Sequence, residues 1–235
     1  MNVSRRRIMD GDREKENGGS AREHTETLKA LVLSAGAALF GVAPLPLDGE
    51  GFGGYPRAVS VGAVLSRGVL DTIDDTPTRI YAYHYRTINT FLDQTAARVV
   101  SYIEQAGFKS LHVPASQIVD WENLAGRISH KEIGRLAGLG FIGRNNLLVT
   151  PRFGAAVRLV SILTDMPLVE NSPVDGDCAG CRECVAVCPA GAIGETVEDF
   201  DLEKCKEKLR WFKKHLVGHH ICGVCVKVCK GPGIV

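Results

Sequence analysis

The sequence predicts an α+β protein with a large mixed part followed by a small cysteine-rich one. Two observations predict it. Through residues 23–170, runs with helical apolar spacing alternate with short β-branched runs punctuated by glycine and proline. All eight cysteines then fall between Cys178 and Cys229, and the first 177 residues hold none. The expected organisation is a polar, disordered tail over 1–22, a first domain over 23–170 and a cysteine domain over 171–235.

In the first domain, Leu28, Leu31, Val32, Ala35 and Leu39 recur at helical spacing from Glu23, with Gly41 and Pro44 as stops. Asp48 to Gly54 reads as a loop, and Ala58 to Leu65 as an uncharged strand. After a polar connection from Asp71 to Thr78, a long helix is expected over about Tyr83 to Ala106. It presents Ile88, Phe91, Leu92, Ala96, Val99, Val100 and Ile103 on one face, and Gly107 closes it. Lys109 to Val113 is a short strand ended by Pro114.

Ser129 and Glu132 have the spacing of a capping box and open a helix through about Ala137. Gly138, Gly140 and Gly143 break it. Leu147 to Val149 and Val157 to Leu163 read as two strands joined hairpin-fashion by a Pro151–Gly154 turn, and Asp165 to Asp177 as a linker.

The cysteine run Cys178-x2-Cys181-x2-Cys184-x3-Cys188-Pro189 lets one loop wrap a cubane and sends its fourth thiolate to a second one. The later run, Cys222-x2-Cys225-x3-Cys229, is one ligand short, and Cys205 is the cysteine left to supply it. The crossed logic of two-cluster ferredoxins groups Cys178, Cys181, Cys184 and Cys229 in one set, and Cys188, Cys205, Cys222 and Cys225 in the other. Two 4Fe–4S clusters are therefore expected. Two four-cysteine zinc sites are the alternative, but such sites seldom combine three cysteines at this spacing with C-x3-C-P. Lys204, Lys206, Lys208, Arg210, Lys213 and Lys214 either offset the clusters' negative charge or form a solvated helix face. His219 and His220 read as neighbours of the ligands or as surface residues.

The composition, 45% apolar and 23% charged, is that of a soluble globular protein, and cysteines without disulfide-scaffold spacing favour a reducing, cytoplasmic setting. A net charge of +1 provides no strong electrostatic footprint for nucleic acid or membrane. Arg5-Arg6-Arg7 is followed by charged residues rather than the apolar stretch of an export signal. The apolar run Ala30 to Leu47 is too interrupted to span a bilayer, so no membrane association is expected.

The segment Ser129 to Val149, with Ala137-Gly138-Leu139-Gly140-Phe141-Ile142-Gly143-Arg144-Asn145, then Val157 to Asp165 and the eight cysteines, resembles the epoxyqueuosine reductase family. The likeness runs from about Tyr83 to Pro232. It implies a nitroreductase-like catalytic domain, shared with reductive dehalogenases, ahead of a ferredoxin-like double 4Fe–4S domain. It further implies a cobalamin near the first cluster, single-electron delivery to cobalt, and a tRNA substrate. A ferredoxin or flavodoxin would supply the electrons.

Under that resemblance, Gly138, Gly140, Gly143, Arg144 and Asn145 would meet the cofactor; a tight helix–strand connection is the other reading of the glycines. The family's acidic proton donor falls near Leu124, with Asp120 or Glu122 as substitutes. His130, at a helix start, and Tyr85 are further proton-donor candidates. Few residues follow the second cysteine run, which points to the short branch of the family. An electron carrier without catalysis and a reductase of another small molecule are the competing readings.

Overall fold

The computed structural model describes residues 19–46, 53–120, 122 and 126–232. Residues 1–18 of the expected tail and most of the 48–54 loop lie outside them. Helix α1 spans Ala21–Ser34 and is capped by Ser20, whose hydroxyl accepts from the Glu23 N–H. The helical reading through Leu39 is corrected here. Gly36, at φ +99°, ends the helix, and Leu39–Pro44 form strand β1. Gly41 sits inside that strand because a side chain there would collide with the Ala137 carbonyl.

Strand β2 (Arg57–Val64) follows, then a single turn, α2 (Arg67–Leu70), which carries no periodicity to read. The long helix α3 spans Arg79–Gln105, starting four residues before the expected Tyr83, with the Thr78 hydroxyl accepting from the Tyr81 N–H. Strand β3 is Ser110–Val113, and α4 is His130–Leu136, capped by Ser129 as the sequence predicts. Short strands β4 (Phe141–Ile142) and β5 (Leu148–Val149) pair with each other, and β6 spans Val157–Thr164.

The expected hairpin between β5 and β6 does not form. A Thr150–Gly154 bridge closes the turn, but β6 leaves it to run between β2 and β3 in an antiparallel sheet of order β1-β2-β6-β3. Eight apolar-rich residues are better buried in a sheet centre than beside a two-residue strand. One face of the sheet, with Val42, Val59, Val61, Val160 and Ile162, packs on α1 and α3. The other, with Ala43, Ala58, Leu159 and Leu163, packs on Ile133 of α4 and Leu148 of β5. The sheet is therefore covered on both faces.

The cysteine part carries α5 (Glu183–Val187), α6 (Leu202–Phe212), a π-turn over Lys213–Val217 and α7 (Val224–Val228). It is fastened to the body. Ile221, Val224 and Val226 share an apolar cluster with Leu65, Leu70, Ile73 and Tyr81. Arg67 donates to the Lys227 carbonyl at 2.7 Å, and the Lys227 ammonium to the Ile73 carbonyl. Among the described residues no helix is long and apolar enough to cross a membrane.

Candidate redox site

The fold brings the eight cysteines into two groups. Burial, then the neighbouring Cys229, Cys178 and Cys181, pushes the Cys184 thiol up to about 11. Burial likewise raises Cys222 to about 11, with Cys205 and Cys188 adding to it, while Cys205 is raised by burial and then by Cys188. Cys225 is raised by burial and then by Cys222, Cys205, Cys184 and Cys188. The neighbours are those of the crossed assignment, with Cys184 and Cys225 where the two groups approach. Thiols held this high give up their protons to a metal, not to solvent.

Among the described residues no three His, Cys, Asp or Glu side chains converge as the ligands of one ion do. Four cubane thiolates each take a different iron and so surround a volume. The second group lies on the wall of such a volume, a cavity of about 450 Å³. The donor set and its layout fit iron–sulfur clusters.

Arg144 supports the first group: it donates from Nε to the Cys181 carbonyl at 3.1 Å and from its other end to the Ala179 carbonyl. Gly143 and Gly154 let the body come close. A side chain at Gly143 would meet Val149 at 2.6 Å and the Cys178 sulfur at 3.2 Å, and one at Gly154 would strike the Cys229 carbonyl. Side chains at Gly138 and Gly140 would strike the Ser172 and Val149 carbonyls. None of Gly138, Gly140 and Gly143 lines the large cavity, and the close approaches at all three are those of a tight connection. Of the five expected cofactor contacts, only Asn145 lines it.

A second cavity of about 390 Å³ adjoins the first, and Tyr81, Lys131, Leu147, Arg158 and Val226 line both. Arg158 is the charge in the otherwise uncharged β6. It donates to Asn89 Oδ1 at 3.1 Å, the Tyr85 hydroxyl at 2.9 Å and the Ala115 carbonyl at 3.1 Å. Burial alone would raise the Tyr85 phenol, but Arg158, with hydrogen bonds involving Ser116 and Asn89, brings it below its ordinary value. Tyr81, four residues earlier and nearer Cys225 and Cys222, is pushed far up by burial.

His130 lines the second cavity, bonded to the Ser161 hydroxyl at 2.9 Å and the Pro114 carbonyl at 3.0 Å. Burial pushes it down to about 4, so it is neutral at physiological pH. Asp120 and Glu122 stand elsewhere. Asp120 accepts the Glu122 N–H at 3.0 Å, Arg210 of α6 donates to the Glu122 carbonyl at 2.6 Å, and neither residue lines the two cavities. Leu124 lies outside the described residues.

The cavity beside Tyr85 and Arg158 is walled by Cys188, Cys205, Cys222 and Cys225, not by the first group that the resemblance placed next to a cobalamin. Of the α6 cations, Lys208 lines the cavity and bears on Cys222, whereas Lys204 pairs with Asp201 and Lys206 with Glu203. His220 lines the cavity, and His219 faces a separate groove beside Tyr83. Sequence reasoning missed Arg158, Lys131 and Tyr81. The signal for Arg158 was a lone charge within a strand buried on both faces.

No family model matches the chain. An epoxyqueuosine reductase from Bacillus cereus is 32% identical over 113 residues, which are 44% of this chain and 30% of that protein. A reductive dehalogenase whose structure was related to B12-dependent dehalogenation superposes with TM-score 0.75 at 20% identity, over 91% of this chain and 33% of that one. An epoxyqueuosine reductase bound to an epoxyqueuosine-modified tRNA stem loop superposes with TM-score 0.62 at 16% identity, over 88% and 64%. The chain thus spans under a third of the B. cereus protein's length. It resembles the epoxyqueuosine reductases in sequence, and both they and the reductive dehalogenases share its α+β fold.

Proposed function

We propose that this chain is an iron–sulfur oxidoreductase that reduces a ligand in the paired cavities beside its second cysteine group. The observation that carries the reading is the adjacency of Cys188, Cys205, Cys222 and Cys225 to the Tyr85–Arg158 pair in one cavity. Residues 23–170 would form a nitroreductase-like catalytic domain and 171–235 a ferredoxin-like one. Cys178, Cys181, Cys184 and Cys229 would hold one 4Fe–4S cluster, and the other four cysteines the second. When bound, the clusters would supply single electrons, the second at the cysteine-lined part of the larger cavity, and a corrinoid toward Tyr85 and Arg158 would supply a reducible cobalt centre. The largely apolar wall and the unsatisfied amide of Asn145 fit the edge of a corrinoid, whose amide and phosphate oxygens accept hydrogen bonds.

Tyr85 is the proton donor in this reading. Its phenol lines the cavity, Arg158 holds it in place and eases its ionisation, and among the described residues no carboxylate lines either cavity. Cys181 is exposed, whereas Cys188, Cys205, Cys222 and Cys225 are each half-buried, so a ferredoxin- or flavodoxin-class donor would deliver electrons at the first group. The tRNA stem loop bound by one structural relative supports a tRNA nucleoside as the substrate in this reading. A phenol, Tyr85, held by Arg158 in the cavity favours a second reading, a small-molecule reductase closer to the dehalogenases. A cavity of this kind next to a cluster is what a mere electron carrier would lack.

Anaerobic reconstitution followed by EPR of the reduced protein, with and without cobalamin, tests the reading. Two interacting cluster signals and a cobalt signal that appears on adding cobalamin are expected. A zinc-loaded, EPR-silent protein overturns it.

A further inference from the structure

Lys131 and Arg158 line both cavities, and Asn145 lines the larger one with them. Asn145 is 4% exposed. Its Oδ1 accepts the Leu147 N–H at 3.3 Å, which fixes the orientation of the carboxamide, and its Nδ2 has no hydrogen-bond partner. A buried N–H2 group without an acceptor is costly, and native structures rarely keep one unless something fills it.

The loop around Asn145 is held under constraint. Asn146 has φ +57°, a left-handed conformation. The Lys131 ammonium donates to the Asn146 carbonyl at 2.8 Å and also to its side-chain oxygen. An ammonium has three donors, which leaves a third for the cavity that Lys131 lines. Arg144, on the other side, is tied to the Cys178–Cys181 loop. Asn145 is therefore positioned from both ends.

The alternative is that these cations merely offset the negative charge of the second cluster. Lys208 is placed for that task, since it bears on Cys222. The groups on which Arg158 bears are Tyr81, Tyr85 and His130. Among the described residues, two cations and an unsatisfied N–H2 line space that no Asp or Glu lines, although Asp93 bears on His130 of the smaller cavity.

We propose that Lys131, Asn145 and Arg158 form a binding site for an anionic oxygen, a carboxylate, phenolate or phosphate, between the two cavities. The inference deepens the reductase reading and rests on it for the ligand's place beside the second cysteine group. Two sources share this chemistry: an acidic group on the substrate, and the phosphodiester of a corrinoid tail.

The test is calorimetric titration of the anaerobically reconstituted protein with benzoate, inorganic phosphate and neutral benzamide, then with cobalamin and with cobinamide, which lacks the phosphodiester. Benzoate or phosphate is expected to bind at least about tenfold more tightly than benzamide. Lys131→Met and Asn145→Leu should each weaken that anion by about tenfold, and Lys131→Arg should restore it. Iron content and EPR should not change in these variants, which separates lost binding from lost folding.

If Lys131→Met weakens cobalamin but not cobinamide, the anion is the corrinoid's. If it weakens benzoate and leaves cobalamin unchanged, the anion is the substrate's. Equal binding of benzoate and benzamide, or affinities that neither substitution changes, overturns the site. Failure of the reductase reading would look different: no cluster signal in the parent protein, with the anion affinities intact.

Discussion

The Arg158 guanidinium donates to the Tyr85 hydroxyl at 2.9 Å while its central carbon lies 4.2 Å from the centre of the same ring. The cation thus stabilises the phenolate twice, through its hydrogen bond and through its charge near the ring. Burial pulls the other way, and Arg158 with its neighbours wins, leaving the phenol below its ordinary pKa. Arg158→Gln should therefore raise the Tyr85 pKa. The ¹³Cζ tyrosine resonance followed against pH would report it, and an unchanged titration would refute the coupling. Tyr85→Phe should lower turnover by about 10²–10⁴-fold, the usual weight of a general acid, with the cluster spectra intact.

Crossed ligation makes a prediction that sequence order alone would not. Cys229 follows Cys225 by four positions, yet Cys184 has Cys229, Cys178 and Cys181 as its neighbours. Cys229→Ser should accordingly resemble Cys181→Ser, and Cys205→Ser should resemble Cys222→Ser. Each variant should fall from about eight irons per chain toward about four. EPR on the reduced variants would sort them into two classes. A Cys229→Ser protein with the spectrum of Cys222→Ser would refute the crossing.

The cysteines were legible as a ligand pattern because their spacing is local, and the crossed pairing proposed from it awaits the iron counts above. The Ser129 cap was legible for the same reason. What could not be read was long-range. The β6 partners were hidden because the adjacent Thr150–Gly154 turn resembles a hairpin turn, while burial between β2 and β3 decides the pairing. Leu39 fitted the helical spacing of α1, but Gly36 at φ +99° ended it first. Tyr85 was identified as a candidate, whereas its partner Arg158 lies 73 positions away and only the sheet brings them together. For the glycines after α4 the sequence left a cofactor contact and a tight connection open, and backbone carbonyls close on Gly138 and Gly140 only through the fold.

Gly154 joins the body to the first cysteine group. Its φ is +57°, and an added side chain would strike the Cys229 carbonyl and come within 2.6 Å of the Gly231 nitrogen. Gly154→Ala should destabilise the fold by more than about 1 kcal/mol and displace Cys229. Gly180→Ala, in the same cysteine region with nothing within 4 Å, is the control and should be near neutral. Anaerobic urea midpoints together with the EPR amplitude of the first cluster would measure both effects. A Gly154→Ala protein as stable as Gly180→Ala would show that the contact is not structural.

His130 sets an acid limit on stability. A neutral imidazole satisfies both its bonds, with Nε2–H donating to the Pro114 carbonyl and Nδ1 accepting from the Ser161 hydroxyl. Its folded pKa is about 4, against about 6.5 for an unfolded histidine. Between those values the unfolded chain binds the extra proton, so stability must rise with pH across that window. The contribution is fully present above about pH 6.5 and lost progressively as pH falls toward 4, at most about 3 kcal/mol in all. Burial contributes most of the shift, with Arg158 and His112 adding to it and Pro114 and Asp93 opposing it. His130→Asn should flatten this part of the profile while lowering stability at pH 7.5, where the native hydrogen bonds are intact. Anaerobic urea titrations of parent and variant at pH 5 and 7.5 compare the two slopes, and the acid lability of any cluster cancels in that comparison. Parallel slopes would mean that His130 protonates in the folded protein as readily as in the unfolded chain.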